Sequence, residues 1–134
     1  MVLSIRLLDE DIGHPGLDRA ARRRSAGTLE LVVDNLTAAE VIAARVSDEW
    51  ARLMDDAGRP QDANRATLVE RILRFDGTLP ACLPDAIDAA QRAFRDGQIL
   101  FFWNDAQIVE PHAFLNLRSS NEALFLRLYP MTGG

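Results

Sequence analysis

Apolar residues alternate with polar ones at period two near both ends of this chain, whereas its middle carries apolar residues at spacings of three and four. The alternation over residues 2–8 and again over 28–33 predicts two strands, each with one apolar side. The polar stretch 9–27 between them predicts a long loop. Its arginine run at 22–24 predicts a solvated loop surface, with a docking patch for an acidic partner as the alternative. The chain therefore begins with a predicted β-hairpin.

A capping box predicts where the first helix begins. Thr37 is followed three residues later by Glu40, and each side chain can satisfy an unpaired backbone N–H at a helix start. Apolar residues follow on one stripe, so we expect this helix to pack its stripe against the sheet. The stripe consists of Ile42, Val46, Trp50 and Leu53 or Met54. Gly58 and Pro60 are predicted to end the helix.

Two more helices are predicted before the next strand. Residues 62–75 form a second amphipathic pattern. Pro84 suits the first turn of a third helix, and Gly97 suits its end. The side chains that this third helix is expected to bury are Ile87, Ala90 and Phe94.

After Gly97 the chain returns to a strand pattern. Residues 99–103 form a continuous apolar run, Asn104 and Asp105 are predicted to reverse the chain, and residues 107–109 return as a short strand. These features predict a second tight hairpin.

The last segments predict a connection and a closing strand. The connection covers residues 111–117 and should bury Phe114, Leu115 and Leu117. A polar turn at 118–122 then leads to a strand over 123–129. This strand places Leu124, Leu126 and Leu128 on one side, and Phe125, Arg127 and Tyr129 on the other.

The composition is that of one globular domain over residues 1–134, because 48% hydrophobic and 26% charged residues are enough to form a core. The net charge of -5 lacks the positive field that draws proteins to nucleic acid or anionic lipid. No apolar run approaches the roughly 18 residues of a membrane span. We therefore expect a cytoplasmic protein whose partners include neither nucleic acid nor membrane.

Few side chains could carry catalysis. Cys82 is the only cysteine, which excludes an internal disulfide and a cysteine-based zinc site. It is predicted to be half-buried in a loop, with a nucleophilic thiol as the alternative. His14 and His112 lie in separate polar segments and are expected at the surface. We expect neither enzyme activity nor a bound metal.

All 15 basic residues are arginine, and the sequence contains no lysine. No lysine ε-amine is therefore present to accept an amide bond. A codon bias toward arginine also explains this composition.

The order strand, strand, helix, strand, short strand, strand, followed by Gly133-Gly134, resembles the ubiquitin-like β-grasp family. The similarity is strongest over residues 98–134, where the Gln-Ile-Val-Glu segment at 107–110 follows a turn and a Leu-Arg-Leu segment precedes the diglycine. Residues 2–54 match the hairpin and helix of ubiquitin in order and spacing. The resemblance implies an α+β fold with a mixed sheet of four to five strands, one packed helix, and a helical insertion at about 55–97.

The resemblance also implies that the carboxylate of Gly134 is the reactive group. A C-terminal carboxylate is ionised at neutral pH and is a poor electrophile, so it needs activation. In this family an adenylating activating enzyme uses ATP and magnesium to form an acyl-adenylate, then a thioester. Gly133 and Gly134 lack a Cβ, so the tail 130–134 can pass through a narrow channel. The chain itself then needs no cofactor.

Three fates of this tail are compatible with the sequence. We favour transfer by a conjugating enzyme to target proteins, reversed by a deconjugating protease, because the chain looks like bacterial ubiquitin-like modifiers of antiviral defence. In the second, the chain is a sulfur carrier with a C-terminal thiocarboxylate for cofactor biosynthesis. The Pro-x-x-Gly-Gly ending at 130–134 resembles the small subunit of molybdopterin synthase. A non-covalent β-grasp adaptor is the third.

Strand alternation predicts where partner enzymes dock. If Phe101 and Trp103 turn inward with the leucines of the last strand, the opposite face carries four other side chains. These are Phe102, Phe125, Arg127 and Tyr129. In ubiquitin the matching face binds enzymes, and the tail residues Pro130, Met131 and Thr132 are expected to contribute. The alternative is that the helical insertion covers this face.

Overall fold

The computed structural model describes residues 1–12, 23–53 and 80–128. Within these ranges the protein is an α+β structure with a five-stranded mixed sheet and two helices. The helix predicted at 62–75 lies outside the described residues, as do Gly58 and Pro60. None of the helices in the described ranges has both the length and the apolar character needed to cross a membrane.

Two compact units make up the chain. One combines Met1–Ala38 with Phe94–Gly134 and contains the sheet. The other is Ala39–Ala93 and contains most of both helices. The unit with the sheet is therefore assembled from two segments that are distant in sequence.

Five strands form the mixed sheet. They are β1 (Val2–Ile12), β2 (Arg23–Val32), β3 (Ile99–Trp103), β4 (Ala106–Ile108) and β5 (Ser120–Leu128). Their order across the sheet is β2-β1-β5-β3-β4. β1 and β5 are parallel neighbours, whereas the other three neighbouring pairs are antiparallel. The central position of the sheet is thus held by β5, which comes last in sequence among the described strands.

The N-terminal hairpin is longer than the sequence pattern predicts. The loop predicted at 9–27 is wrong at both ends, because β1 continues to Ile12 and β2 already begins at Arg23. Arg23 Nε donates to Glu10 Oε1 at 3.3 Å across the ladder, so the polar residues extend the strands as an opposite-charge pair. Arg23 and Arg24 are therefore strand residues and not loop surface.

A β-bulge interrupts this hairpin between Leu7 and Leu8. Gly27 lies opposite Leu7 and has a φ of 104°, a conformation that favours glycine because it lacks a Cβ. The predicted apolar side of β1 is confirmed, since Leu3, Ile5 and Leu7 are 0–1% exposed. We call the face that carries these three side chains the core face, and the other the outer face.

The first helix, α1 (Ala38–Leu53), begins directly after Thr37, as the capping box predicts. Ile42 and Val46 of the predicted stripe are buried, whereas Trp50 is half-buried. That α1 packs on the sheet stays a prediction.

The buried residues of α1 also include two charged side chains that the sequence pattern did not single out. Arg45 is 0% exposed and Glu49 is 2% exposed. Arg45 Nε donates to Glu49 Oε1 at 3.0 Å, one helical turn away. The helix therefore buries an ion pair beside its apolar residues.

The second described helix, α2 (Leu83–Arg95), begins one residue before Pro84 and ends before Gly97, close to the predicted boundaries. Ala90 and Phe94 are buried as predicted, whereas Ile87 is half-buried. Gly97 has a φ of 77°, and its N–H donates to Phe94 O at 3.2 Å. This is the expected role of glycine just beyond a helix end.

Cys82 is exposed and not half-buried as predicted. It directly precedes α2, and its carbonyl accepts the N–H of Ala86 at 3.1 Å. The residue therefore takes part in the start of the helix through its backbone, while its side chain contacts solvent.

The predicted tight turn between β3 and β4 is confirmed, with Asn104 and Asp105 both at positive φ, 48° and 72°. This is the backbone that a two-residue hairpin loop requires. The predicted burial of Phe114 is wrong, because this side chain is 72% exposed, while Leu115 is 7% exposed. Leu115 N–H donates to Leu36 O at 2.8 Å, and alternation along this extended segment turns Phe114 outward.

Candidate functional site

The candidate site is β5 together with the tail that follows it. β5 begins at Ser120, three residues earlier than predicted, and is hydrogen-bonded to β1 on one side and to β3 on the other. The tail residues predicted to react or to bind partners lie outside the described residues. These are Tyr129, Pro130, Met131, Thr132, Gly133 and Gly134. Their predicted roles therefore stay predictions.

Two asparagines fix the beginning of β5. Asn121, which is 2% exposed, accepts the Arg118 N–H at 2.9 Å and donates Nδ2 to Arg118 O at 2.8 Å. Its Oδ1 also accepts Asn104 Nδ2 at 3.1 Å. Asn104 Oδ1 in turn accepts the Glu122 N–H at 2.8 Å. The β3–β4 turn is thereby connected to the start of the strand that leads to the tail.

Asn121→Ala is expected to lower the free energy of unfolding by about 2–3 kcal/mol, because it removes three hydrogen bonds and leaves buried partners unsatisfied. Urea denaturation measures the change. Asn116→Ala is the matched control, since this side chain is exposed and should cost no more than about 0.5 kcal/mol. Equal losses in the two variants would contradict the role of Asn121.

Aromatic side chains from β3 and β5 form one cluster on the core face. Phe101 and Phe125 are directly opposite each other in the antiparallel ladder, with ring centroids 5.2 Å apart. Phe101 also stacks with Trp103 at 6.4 Å and meets Phe94 edge-on at 6.3 Å. Trp103 Nε1 donates to the carbonyl of Asn116 at 2.9 Å, so its polar atom is satisfied.

This cluster corrects the predicted faces of β5. Residues directly opposite in an antiparallel pair share a face, so Phe125 lies with Phe101 and is only 2% exposed. Arg127 lies on the same core face, opposite Ile99, and is half-buried. Only Phe102 of the three described candidates lies on the outer face. The predicted grouping of Phe102, Phe125 and Arg127 on one surface is therefore wrong.

An apolar group does exist on the outer face, but its members differ from the prediction. Phe102 is opposite Leu124, and Leu124 is in register with Leu8 of β1, so the three form a row across three strands. Leu126 and Leu100 form the next pair. We call these five residues, Leu8, Leu100, Phe102, Leu124 and Leu126, the outer apolar patch.

Exposure divides the outer apolar patch into two parts. Phe102, Leu100 and Leu124 are half-buried, while Leu8 and Leu126 are each 7% exposed. The accessible part therefore lies on β3 and the adjoining residue of β5. The sequence signal for this patch is the row of apolar residues at even-numbered positions of β3 and β5. The odd-numbered positions of both strands carry apolar residues too, so each strand has apolar residues on both sides.

One cysteine and one histidine, Cys82 and His112, are among the described residues. No cluster of three or more histidine, cysteine, aspartate or glutamate side chains that could hold a metal ion occurs among them. His112 is exposed, as predicted, and His14 lies outside the described residues. Cys82 belongs to one compact unit and His112 to the other.

The chain was found to have no match among known proteins. No family model, no curated protein and no solved structure matches it.

Proposed function

We propose that this protein is a ubiquitin-like β-grasp modifier whose C-terminal Gly134 carboxylate is activated by a partner enzyme and conjugated to target proteins. The observation that carries the proposal is the position of β5. It is the central strand, and Gly133 and Gly134 follow five and six residues after its end. Bacterial antiviral conjugation in the cytoplasm is the proposed setting.

The strand arrangement supports the β-grasp part of the proposal. A β-grasp sheet has the order β2-β1-β5-β3-β4 with a parallel pair of first and last strands, and this sheet has the same order and the same parallel pair. α1 lies between β2 and β3 in the sequence, which is where the β-grasp helix occurs. Residues 55–97, which include α2, are the proposed insertion.

The central position of β5 supports the proposed use of the tail. Both neighbours hold β5 by backbone hydrogen bonds up to Arg127 and Leu128. Pro130 has no backbone N–H, so it cannot continue a sheet ladder as a donor. The glycines that follow lack a Cβ and let another protein's active site approach the backbone closely.

The accessible part of the outer apolar patch is the proposed docking surface for the activating enzyme. Phe102 of β3 and Leu124 of β5 present neighbouring apolar side chains. β5 is the strand that leads to the tail, so this surface is connected to the tail through the same strand. Aromatic residues at a protein interface contribute large contact areas. Arg127 and Phe125, on the core face, are proposed to stabilise the end of β5 instead.

The chain acts as a substrate in this scheme and not as a catalyst. The Gly134 carboxylate attacks the α-phosphorus of ATP on the activating enzyme, and pyrophosphate leaves. A cysteine thiolate of that enzyme then attacks the acyl carbon and AMP leaves, giving a thioester. A conjugating enzyme accepts the acyl group and transfers it to an amine of the target, and a deconjugating protease hydrolyses the product.

A sulfur-carrier role is the second candidate, because the Pro130-Met131-Thr132-Gly133-Gly134 ending resembles that of the molybdopterin carrier. Activation of Gly134 is common to both roles. They differ in the next step, in which sulfide-level sulfur from a separate donor attacks the acyl carbon of the acyl-adenylate and AMP leaves, giving a thiocarboxylate. A non-covalent adaptor would undergo neither step.

Deletion of Gly133 and Gly134 is expected to abolish covalent adducts of this protein in cells that contain its conjugation enzymes. The measurement is denaturing gel analysis of an N-terminally tagged chain, followed by mass spectrometry of the adducts. Cys82→Ser is the control variant, because it keeps the tail and removes the only thiol. Adducts that persist in the deletion variant, or that disappear in Cys82→Ser, would contradict the proposal.

A further inference from the structure

β2 forms one edge of the sheet. Among the described strands, β2 pairs with β1 alone, and its other side has no strand. Most of its side chains are exposed or half-buried, with Leu29 as the buried exception at 5%. Ten residues of strand backbone along an accessible edge are a template for pairing with another strand.

Backbone alternation determines which residues of β2 can make such a pairing. The Val33 N–H donates to Met1 O at 3.0 Å, so Met1 and Val33 form a hydrogen-bonded pair. Val2 and Val32, the next pair of the ladder, are therefore a non-bonded pair. In an antiparallel ladder bonded and non-bonded pairs alternate, so Thr28 and Glu30 direct their N–H and C=O groups to the free edge.

The same alternation applies beyond the bulge. β1 keeps an unbroken register with β5 past the bulge, so Leu8 and Glu10 continue the alternation of Ser4 and Arg6 and direct their backbone groups toward β5. Ser25 and Arg23 are opposite Leu8 and Glu10. Ser25 and Arg23 therefore also direct their backbone groups outward.

We propose that the partner of this edge is the β2 edge of a second copy of the chain, paired antiparallel about a two-fold axis. The register places Arg23 opposite Glu30 of the second copy and Ser25 opposite its Thr28. All four residues direct their backbone groups outward, so each pair can exchange two N–H···O=C hydrogen bonds. The two-fold axis repeats both pairs.

Charge complementarity selects this register. Arg23 and Glu30 lie on the outer face of the sheet, because they are opposite Glu10 and Ser4 of β1. Residues opposite each other in an antiparallel pair share a face, so the guanidinium and the carboxylate meet across the dimer. The pairing that instead places Glu30 opposite its own copy would bring two like charges together. Arg23 would thus lie between Glu10 of its own chain and Glu30 of the second copy.

The residues at the axis leave room for close approach. Ala26 would be opposite Gly27 of the second copy. Gly27 has no Cβ, and a Cβ added there would meet nothing within 4 Å. Strand pairing about this axis gives a continuous ten-stranded sheet, with the outer apolar patches of both copies on the same face.

Sedimentation velocity and equilibrium over a range of protein concentrations test the proposal. We expect a reversible dimer with a dissociation constant on the order of 100 µM, because a strand pair buries less than a standard interface of about 1,600 Å². Glu30→Arg places arginine opposite arginine twice per dimer and should raise the dissociation constant about tenfold or more.

Charge exchange provides the decisive comparison. The double variant Arg23→Glu/Glu30→Arg restores two opposite-charge pairs and should dimerise more tightly than Glu30→Arg alone. Glu110→Arg is the matched control, because it makes the same charge reversal at an exposed residue just after β4, on the other edge of the sheet, and should leave dimerisation unchanged. A wild-type chain that stays monomeric up to about 1 mM would overturn the proposal. Equal weakening by Glu110→Arg and Glu30→Arg, or no recovery in the double variant, would also overturn it.

Discussion

Replacing Phe125 by alanine is expected to lower the free energy of unfolding by about 3–5 kcal/mol, because it empties a well-packed site in the core. The side chain is 2% exposed, and its ring lies 5.2 Å from that of Phe101. A methyl group at this position is too short to keep the contact between the two rings. Urea or thermal denaturation of the purified variant measures the effect.

Phe102→Ala is the matched control for Phe125→Ala. The two phenylalanines lie on neighbouring strands but on opposite faces, and Phe102 is half-buried. Its replacement should cost about 1 kcal/mol of stability, and should instead slow activation by the partner enzyme if the outer apolar patch is the docking surface. A larger stability loss in Phe102→Ala than in Phe125→Ala would contradict the face assignment.

The second large effect is expected at the buried ion pair of α1. Glu49→Ala should lower the free energy of unfolding by about 3–5 kcal/mol, because it leaves the Arg45 guanidinium buried without this carboxylate. Both side chains are at most 2% exposed, and the Nε–Oε1 distance is 3.0 Å. Chemical denaturation measures the change.

An adjacent ion pair on the same helix supplies the control. Arg52 and Asp48 are also four residues apart, and Arg52 Nη2 lies 2.8 Å from Asp48 Oδ2. Their side chains, however, are 41% and 46% exposed. Asp48→Ala should therefore cost no more than about 1 kcal/mol. The double variant Arg45→Met/Glu49→Leu should recover most of the loss, since an apolar pair of similar volume needs no buried charge. Similar costs for Glu49→Ala and Asp48→Ala would contradict this account.

Much of the fold could be predicted from hydrophobic periodicity. The apolar side of β1, the start of α1 after Thr37, the end of α2 near Gly97 and the turn at Asn104-Asp105 agree with the structure. These features depend on local chemistry, namely alternation, capping and positive φ. They involve residues that are close together in the sequence, so they can be recognised without knowing the tertiary structure.

The faces of β5 could not be predicted in the same way. Leucines occupy one side of this strand, and phenylalanine and arginine the other, so both sides carry apolar groups. Polarity alone favoured the leucines as the buried side. The register with β3, which pairs Phe101 with Phe125, decides the matter, and register is a property of the assembled sheet.

The length of the hairpin and the buried ion pair were missed for a related reason. Glu10 and Arg23 lie in the polar stretch 9–27, whose composition predicts a loop, yet they pair with each other across the strand ladder. Arg45 and Glu49 fall three residues after Ile42 and Val46, which is on the apolar stripe of α1. Charged residues at stripe positions are therefore a signal that an ion pair is buried there.

The most direct test of the proposed function is the intact mass of the chain ending at Gly134 after incubation with a candidate adenylating enzyme from the same organism, ATP and magnesium. We predict an acyl-adenylate of this chain, followed by a covalent complex with the enzyme that thiol reagents release. A chain in which one carboxylate oxygen has been exchanged for sulfur would identify the carrier role instead of the modifier role. An unchanged mass with no thioester, together with no exchange of pyrophosphate into ATP, would contradict the account.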